Sequence, residues 1–250
     1  LPLVIDNTFG TPYLIRPIEH GADIVTHSTT KYIDGHAASV GGAIIDSGNF
    51  DWLAHADKFP GLTTPDESYH GITYATKFGK AAYITKATSQ LMRDFGAIQA
   101  PQNAFYIQLG LESLHVRMQR HCENALKIAK FLESNDKVAW VNYPDLESSP
   151  SYELAKKYLP KGSCGVLCFG VKADREGQNR FMDGLKLATI ATHVADCKTM
   201  LLHPASHTHR QLTEEQLKEA GIPSDLIRFS VGLEDADDII EDIKQALELI

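Results

Sequence analysis

Short apolar runs separated by polar residues organise the first part of the chain. The runs cover residues 3–5, 22–25 and 40–45, and Gly, Pro, Asp and His occupy the segments between them. Runs of this length with such boundaries predict β-strands. Residues 13–20 carry helix-like signals after Pro12 and end at Gly21, a frequent helix stop. Strand, short helix and strand at this spacing predict an α/β sheet with functional groups at the strand ends.

The middle of the chain changes from a loop-like to a helical pattern. Residues 47–80 are rich in Gly, Pro, Thr, Asp and aromatic residues, which predicts a long loop over a site. Residues 81–94 and 105–131 then show apolar residues at helical spacing, and the second run is unusually long. We expect a long helix there that connects two domains and contains a kink.

The last part of the chain alternates between strand and helix patterns. Strands are predicted at residues 138–143, 166–171, 200–203 and 227–231, and helices at 152–158, 178–187 and 236–250. This pattern predicts a small α+β domain. We therefore divide the chain into residues 1–110, part of a large α/β domain, and residues 111–250, the connecting helix with the carboxy-terminal α+β domain.

The first six residues, Leu-Pro-Leu-Val-Ile-Asp, resemble a buried strand that ends in a carboxylate. A central strand at a free terminus would be poorly protected. We therefore expect an amino-terminal segment that is missing from the chain or supplied by a companion chain.

Composition narrows the function classes. The formal net charge of −8 at pH 7 argues against nucleic acid or an anionic membrane as the main partner, because both require clustered cations. The 43% apolar content is ordinary for a globular protein, and no uncharged apolar run approaches membrane-spanning length. Four scattered cysteines are expected to be reduced thiols. The composition favours a cytoplasmic protein that binds small polar metabolites.

A lysine that follows a predicted strand is the first candidate for chemistry. Lys31 comes after Ser28, Thr29 and Thr30, and hydroxyls beside a lysine suit pyridoxal phosphate (PLP), whose phosphate they can bind while the amine holds the aldehyde as an imine. Such a tetrapeptide also occurs in surface loops. Asp6, 25 residues earlier at the end of another strand-like run, could keep the pyridine nitrogen protonated. The alternative for Asp6 is a turn-forming role.

A single cation interrupts an apolar strand near the carboxy terminus. Arg228 lies in Leu-Ile-Arg-Phe-Ser-Val, and its planar guanidinium matches a substrate carboxylate with two parallel hydrogen bonds. The alternative is an internal salt bridge to one of the acidic residues of the chain.

These three segments together resemble the Cys/Met-metabolism family of fold-type-I PLP enzymes. The resemblance rests on Asp-Asn-Thr-Phe at 6–9, Ser-Thr-Thr-Lys-Tyr at 28–32 and Ile-Arg-Phe-Ser-Val-Gly-Leu-Glu at 227–234. Within the family, the segments at 59–74, 102–105, 117–125 and 203–210 are similar to the O-acetylhomoserine and O-acetylserine sulfhydrylase branch. The resemblance runs nearly the whole length of the chain.

The resemblance implies a fold and a set of residue roles. The fold is the carboxy-terminal part of an aspartate-aminotransferase-like large domain plus a smaller α+β domain. Lys31 would be the Schiff-base lysine, Asp6 the partner of the pyridine nitrogen, Ser28 and Thr30 the phosphate ligands, and Arg228 the substrate-carboxylate clamp. Family members have an upstream segment that completes the site, and sites shared between subunits imply a homo-oligomer, a dimer of dimers.

The implied function is replacement of the acetate of O-acetylhomoserine by sulfur from a sulfur donor, giving homocysteine in methionine and cysteine biosynthesis. Two alternatives remain open at this point. A γ-lyase shares the early steps, and a non-catalytic fragment or half of a split enzyme would fit a chain that lacks the upstream segment.

The segment at 191–196, Ala-Thr-His-Val-Ala-Asp, departs from the family, where a small polar residue followed by Leu-Gly is common. His193 is therefore a candidate substrate-pocket residue that alters which acyl group or sulfur donor is accepted; the alternative is a neutral variant. The His203, His207 and His209 cluster suggests a zinc hydrolase, but Pro204 opposes a regular helix between them and no His-Glu-x-x-His motif is present. We predict no metal.

Overall fold

A computed structural model describes residues 1–250 of the protein, except for the side chain of Glu214. The described residues form the strands β1 (Val4–Asp6), β2 (Ile24–Ser28), β3 (Gly42–Asp46), β4 (Val138–Asn142), β5 (Val166–Val171), β6 (Thr189–Ile190), β7 (Met200–Leu202) and β8 (Ile227–Ser230). They also form the α-helices α1 (Thr11–Leu14), α2 (Pro60–Thr63), α3 (Tyr74–Phe78), α4 (Ala82–Lys86), α5 (Arg93–Phe95), α6 (Pro101–Glu112), α7 (Leu114–Glu133), α8 (Tyr152–Tyr158), α9 (Arg175–Gly184), α10 (Glu214–Glu219) and α11 (Ala236–Leu247). One turn of π-helix (Ala87–Met92) joins α4 to α5, and short 3₁₀ helices lie at Pro17–His20, Leu53–His55, Glu67–Tyr69, Gly79–Ala81 and Pro204–Ser206.

The amino-terminal strands form a sheet in the order β1-β2-β3. β1 runs parallel to β2, with Asp6 opposite Thr26, whereas β3 is antiparallel to β2. Parallel strands end at the same edge of a sheet, so Asp6 at the end of β1 and Ser28 at the end of β2 lie at one edge, with Ser28 two residues beyond the partner of Asp6. The predicted mixed α/β fold is confirmed, and the edge that carries the candidate residues is the one that α/β sheets generally use for ligands.

A second sheet, in the order β4-β5-β8-β7-β6, forms the carboxy-terminal part. Its buried strand residues, Leu167, Phe169, Ile227 and Phe229 among them, belong to the largest apolar cluster of the described chain. Helices α7, α9 and α11 contribute their apolar faces to the same cluster. Burial of this apolar surface provides most of the driving force for folding here.

Several element boundaries differ from the sequence prediction. The helix predicted from residue 178 begins at Arg175, since the carboxylate of Asp174 accepts a hydrogen bond from the N–H of Gly177 at 2.8 Å. The predicted helix 236–250 ends at Leu247. The strand β6 and the helix α10 were not predicted; β6 has two residues, and α10 depends on a capping box between Thr213 and Gln216.

The prediction of one long loop over residues 47–80 is wrong. The segment forms helical turns, because its aromatic residues pack against one another and against Ile24. Trp52 and Tyr83 stack with ring centroids 5.7 Å apart. The ammonium of Lys86 lies 2.6 Å from the carboxylate of Asp66 and holds the pKa of that carboxyl at about 2. These contacts tie the segment to α4.

The long helix predicted at 105–131 is divided into α6 and α7. The break lies at Ser113, whose backbone leaves the helical region with ψ of 2°, in agreement with the expected kink. No helix in the described part of the chain has both the length and the apolar character needed to span a bilayer.

Candidate active site

Lys31 lies in a turn directly after β2. Its N–H donates to the carbonyl of Ser28 at 3.2 Å, and its half-buried side chain brings Nζ to 3.3 Å from Nδ1 of His193. Burial, followed by the positive charge of Arg228, lowers the pKa of Lys31 from its ordinary value. More of this amine is therefore neutral near pH 8 than of an exposed lysine, and the neutral amine is the nucleophilic form.

Asp6 is an exposed carboxylate with a fixed orientation. Its Oδ1 accepts hydrogen bonds from the N–H of Thr8 at 3.0 Å and from the hydroxyl of Thr8 at 2.5 Å. These bonds lower the pKa of Asp6, so the group remains ionised at neutral pH. The hydroxyl oxygen of Thr8 also accepts the N–H of Ser28 at 2.8 Å. One threonine thus connects the Asp6 end of β1 to the Lys31 end of β2.

The hydroxyls of Ser28 and Thr30, both predicted to bind phosphate, differ in their hydrogen-bond partners within the chain. Ser28 Oγ makes no hydrogen bond within the described chain and is half-buried. The Thr30 hydroxyl donates to the carbonyl of Gly41 at 3.3 Å and accepts the N–H of Gly41 at 3.0 Å. Ser28 can donate to an anion as it stands, whereas Thr30 would first have to release Gly41.

Arg228 lies on the central strand β8, and only one nitrogen of its guanidinium, Nη2, is hydrogen-bonded within the described chain. Its Nη2 donates to the carbonyls of Thr192 at 3.0 Å and His193 at 3.2 Å. Among the described residues, no carboxylate lies within ion-pair distance of this half-buried guanidinium. The alternative of an internal salt bridge is therefore not observed, and the remaining N–H groups can receive an anion.

The loop at residues 191–197 brings Lys31 and Arg228 together. Its backbone is held by the N–H of Ala195, which donates to the hydroxyl of Ser230 at 2.8 Å, and by the N–H of Cys197, which donates to the carbonyl of Gly35 at 2.8 Å. The loop is therefore fixed both to β8 and to the turn that follows Lys31. The sequence predicted that His193 lies in the substrate pocket. The structure places its ring next to the amine of Lys31.

Arg117 on α7 is a buried residue that the sequence interpretation missed. Its guanidinium donates to the carbonyls of Tyr32 at 2.8 Å, Ile33 at 3.3 Å and Gly110 at 2.6 Å. A Cβ at Gly35 would lie 2.5 Å from Nη1 of Arg117, so the turn after Lys31 fits closely around this cation. The sequence did contain a sign of this role, because a cation on the apolar face of a predicted amphipathic helix is unusual.

We expect Arg117→Met to destabilise the protein by roughly 3 to 5 kcal/mol, because it removes the side-chain donor to the buried carbonyls of Tyr32 and Ile33 and one of the donors to the carbonyl of Gly110. The quantity to measure is the free energy of unfolding from denaturant titration. Arg120→Met on the same helix is the matched control; its exposed pair with Asp235 is 3.9 Å long, and we expect a loss within about 0.5 kcal/mol. Equal losses in both variants would contradict the proposed role of Arg117.

The histidine cluster at 203–209 stabilises a loop. His203 is fully buried; its Nδ1 accepts the N–H of Ser206 at 3.2 Å, and its Nε2 donates to the carbonyl of Ser224 at 2.8 Å. Both ring nitrogens therefore have protein partners. Within the described side chains, no group of three His, Cys, Asp or Glu is arranged to hold a metal ion.

The donor set fits PLP. A half-buried amine with a lowered pKa suits an aldehyde, an ionised carboxylate suits a protonated pyridine nitrogen, and an unengaged hydroxyl at a strand end suits a phosphate. Lys31, Asp6 and Ser28 supply these groups from the ends of two adjacent parallel strands. A separate apolar groove of about 1010 Å³ lies between β2, β3 and residues 58–97, and neither Lys31 nor Arg228 lines it.

Comparison with known proteins identifies a family. A family model described as Cys/Met metabolism PLP-dependent enzyme matches residues 1–248. Homocysteine synthase of Schizosaccharomyces pombe is 48% identical over 250 residues, which cover 100% of this chain and 58% of that protein. O-acetyl-L-homoserine sulfhydrylase of Leptospira meyeri is 46% identical over 259 residues, which cover 100% of this chain and 58% of that protein.

A solved structure has the same fold. It is that of a proposed O-acetylhomoserine (thiol)-lyase from Campylobacter jejuni, which carries N'-pyridoxyl-lysine-5'-monophosphate at its position 205. The TM-score is 0.93 at 42% identity, and the match covers 99% of this chain and 59% of that one. This chain thus spans a little under three fifths of the length of the proteins it matches.

Proposed function

Since the chain belongs to the Cys/Met metabolism PLP-dependent enzyme family, we propose that it carries the reactive lysine of an enzyme that replaces the acetate of O-acetylhomoserine by sulfur. The observation that carries the proposal is the half-buried amine of Lys31 together with Arg228. Burial and the Arg228 cation lower the pKa of Lys31. Arg228 binds two backbone carbonyls and has no carboxylate partner in the described chain. The names of the relatives, homocysteine synthase and O-acetyl-L-homoserine sulfhydrylase, support the choice of substrate.

The cofactor would be held by four residues of this chain. Covalently bound PLP supplies an electron sink that stabilises negative charge on the substrate carbons. Lys31 would form the covalent bond, and Asp6, kept ionised by Thr8, would hold the proton on the ring nitrogen. Ser28 would donate its hydroxyl to the phosphate, with Thr30 as the second ligand after it releases Gly41.

Lys31 and Arg228 would act on the amino acid itself. Arg228 would bind the α-carboxylate through the N–H groups that no protein carbonyl occupies. This contact would orient the substrate so that its α- and β-hydrogens face Lys31. The Lys31 amine, freed by the incoming amino acid, would remove these protons in turn. Acetate leaves from the γ-carbon, sulfide adds there, and the protons return, giving homocysteine and acetate.

Assembly and location form a second part of the proposal. Phe95 and Ile98 are 83% and 75% exposed, and Phe105 on α6 is 54% exposed. Exposed apolar side chains of this size are candidates for burial against a second copy of the chain, which supports a homo-oligomer. The dimer of dimers and the cytoplasmic location are proposed from the family resemblance alone. β1 is an edge strand with exposed Leu3 and Val4, which supports pairing with a further strand from an amino-terminal segment or a companion chain.

We expect the intact protein to convert O-acetylhomoserine and sulfide into homocysteine and acetate in equal amounts. Omission of sulfide should abolish homocysteine and limit acetate to about one molecule per site, because the cycle stops after acetate has left when no acceptor is present. The measurement is chromatographic product analysis with O-acetylhomoserine and O-acetylserine, each with and without sulfide. Formation of 2-oxobutyrate and ammonia without sulfide would contradict the replacement reaction and indicate a γ-lyase.

A further inference from the structure

His193 lies between a cation and a carboxylate. Its Nδ1 is 3.3 Å from Nζ of Lys31, and its Nε2 is 3.6 Å from Oδ2 of Asp196. The second distance is within ion-pair range but is longer than a hydrogen bond. The two nitrogens of one half-buried ring therefore face groups of opposite charge.

The neighbours of the ring determine which nitrogen carries the proton. An ammonium can only donate, so Nδ1 must be the unprotonated nitrogen when Lys31 is charged. The ring proton then lies on Nε2, which faces Asp196. Asp196 is only 4% exposed, and its Oδ1 accepts the N–H of Lys198 at 2.9 Å, so the carboxylate is fixed in place. Nε2 has no hydrogen-bond partner among the described residues, so at 3.6 Å the Asp196 carboxylate favours this tautomer through its charge.

The charged groups around the ring keep it neutral. Burial and the positive charge of Lys31 lower the pKa of His193 below 6.5, and Arg228 acts in the same direction. Asp196 and Asp34 oppose this shift. At neutral pH the ring is therefore an acceptor at Nδ1, and protonation in acid would remove the acceptor and place a second cation beside Lys31.

We propose that His193 is a positioning residue for Lys31, accepting a hydrogen bond from its ammonium at Nδ1 while Asp196 fixes the tautomer. The inference rests on the proposed function, since it concerns the same lysine. Burial and Arg228 favour the neutral amine, whereas a hydrogen bond donated to Nδ1 of His193 would favour the protonated one. The two influences together set the basicity of Lys31, and the hydrogen bond holds the ammonium at one place after it has taken a proton.

The test measures the titration of Lys31 through its bond to the cofactor. Intact protein is freed of cofactor and mixed with PLP over a range of pH. The rate at which the visible absorption band grows reports the fraction of neutral amine, because only that form attacks the aldehyde. His193→Leu keeps bulk but has no acceptor, and His193→Asn restores an acceptor without a titrating ring. Asp196→Asn removes the charge that sets the tautomer. His115→Asn, at an exposed site on α7, is the control.

We expect the titration midpoint of Lys31 to fall by about one pH unit in His193→Leu, because the charged form loses a hydrogen bond. His193→Asn and the control should lie near the wild type, and Asp196→Asn between the wild type and His193→Leu. An unchanged midpoint in His193→Leu would overturn the inference, as would a His193→Asn variant that shifts equally. Borohydride reduction followed by mass analysis separates the two proposals, because a wild-type protein without PLP on Lys31 would refute the proposed function itself.

Discussion

Replacing Lys31 by Ala should abolish the visible absorption of lysine-bound PLP and reduce turnover at least roughly a hundred- to ten-thousand-fold, as is typical for loss of a general base. The amine is the nearest titratable group to His193, and burial and Arg228 lower its pKa. The measurements are the absorption spectrum of the purified protein and the rate of homocysteine formation. Lys31→Arg should fail equally, since a guanidinium retains the charge but is not a nucleophile at neutral pH.

The matched control for this variant is Lys77→Ala. Lys77 lies on α3, is exposed and forms no ion pair with the described side chains. Its replacement should leave both the spectrum and the turnover unchanged. A Lys31→Ala protein that keeps the visible band and its turnover would show that another amine binds the cofactor, and the assignment of Lys31 would be wrong.

The lowered pKa of Lys31 also predicts the direction of its pH dependence. Burial and Arg228 disfavour the ammonium, so the neutral amine becomes dominant below the ordinary lysine value of 10.5. Covalent binding of PLP should therefore accelerate as pH rises and level off before pH 10.5. The same shift opposes folding while Lys31 is charged. This cost is full below the lowered pKa and falls to zero as pH rises from there to the unfolded-state value near 10.5.

The residues that the sequence identified share a local signature. Lys31 follows two hydroxyls, Asp6 ends an apolar run, and Arg228 interrupts one. Each departs from its neighbours in polarity, and such departures at strand ends are visible without coordinates. Their adjacency required the parallel pairing of β1 with β2 and the position of β8 in the second sheet.

The contacts that orient these residues were less accessible to sequence analysis. Arg117 lies 85 positions from the carbonyl of Tyr32 that it binds, and His193 lies 162 positions from Lys31. Contacts over such separations depend on tertiary packing, which no local pattern encodes. The Asp6-to-Thr8 bonds are different, because aspartate commonly bonds to a residue two positions later in a turn.

The same reasoning explains the error over residues 47–80. Gly, Pro and Asp predicted a loop, but Trp52, Phe59 and Tyr74 pack with Ile24 of β2 and turn the segment into short helices. Aromatic side chains bury large areas, so a few of them can override weak local preferences.

The two sheets meet at Tyr32, the residue after the proposed reactive lysine. Tyr32 is fully buried, and its hydroxyl accepts the N–H of Gly165, which directly precedes β5. Arg117 binds the carbonyl of the same tyrosine. The backbone next to Lys31 is thus held from both sides, which fixes the distance between the proposed cofactor site on the first sheet and Arg228 on the second. Precise positioning of this kind is what a reaction with several proton transfers requires.

Replacing Arg228 by Ala should change two observables with different causes. Loss of the guanidinium removes a charged hydrogen-bond donor from the substrate carboxylate and should weaken amino-acid binding by roughly 2 to 5 kcal/mol, which is roughly 30-fold to 4,000-fold in affinity. Since the Arg228 cation lowers the pKa of Lys31, its removal should also move the Lys31 titration to higher pH. Binding of L-homoserine, which lacks the acetyl leaving group, can be followed by the change in the cofactor spectrum.

Arg228→Lys separates the two effects because it keeps the charge and removes the planar fork. We expect its Lys31 titration to remain near that of the wild type, whereas its affinity for L-homoserine should stay well below the wild-type value, since an ammonium cannot form the paired hydrogen bonds of a guanidinium. An Arg228→Ala variant with wild-type affinity would remove Arg228 from the substrate site. Its two hydrogen bonds to the carbonyls of Thr192 and His193 would then make it a structural anchor of the loop that carries His193.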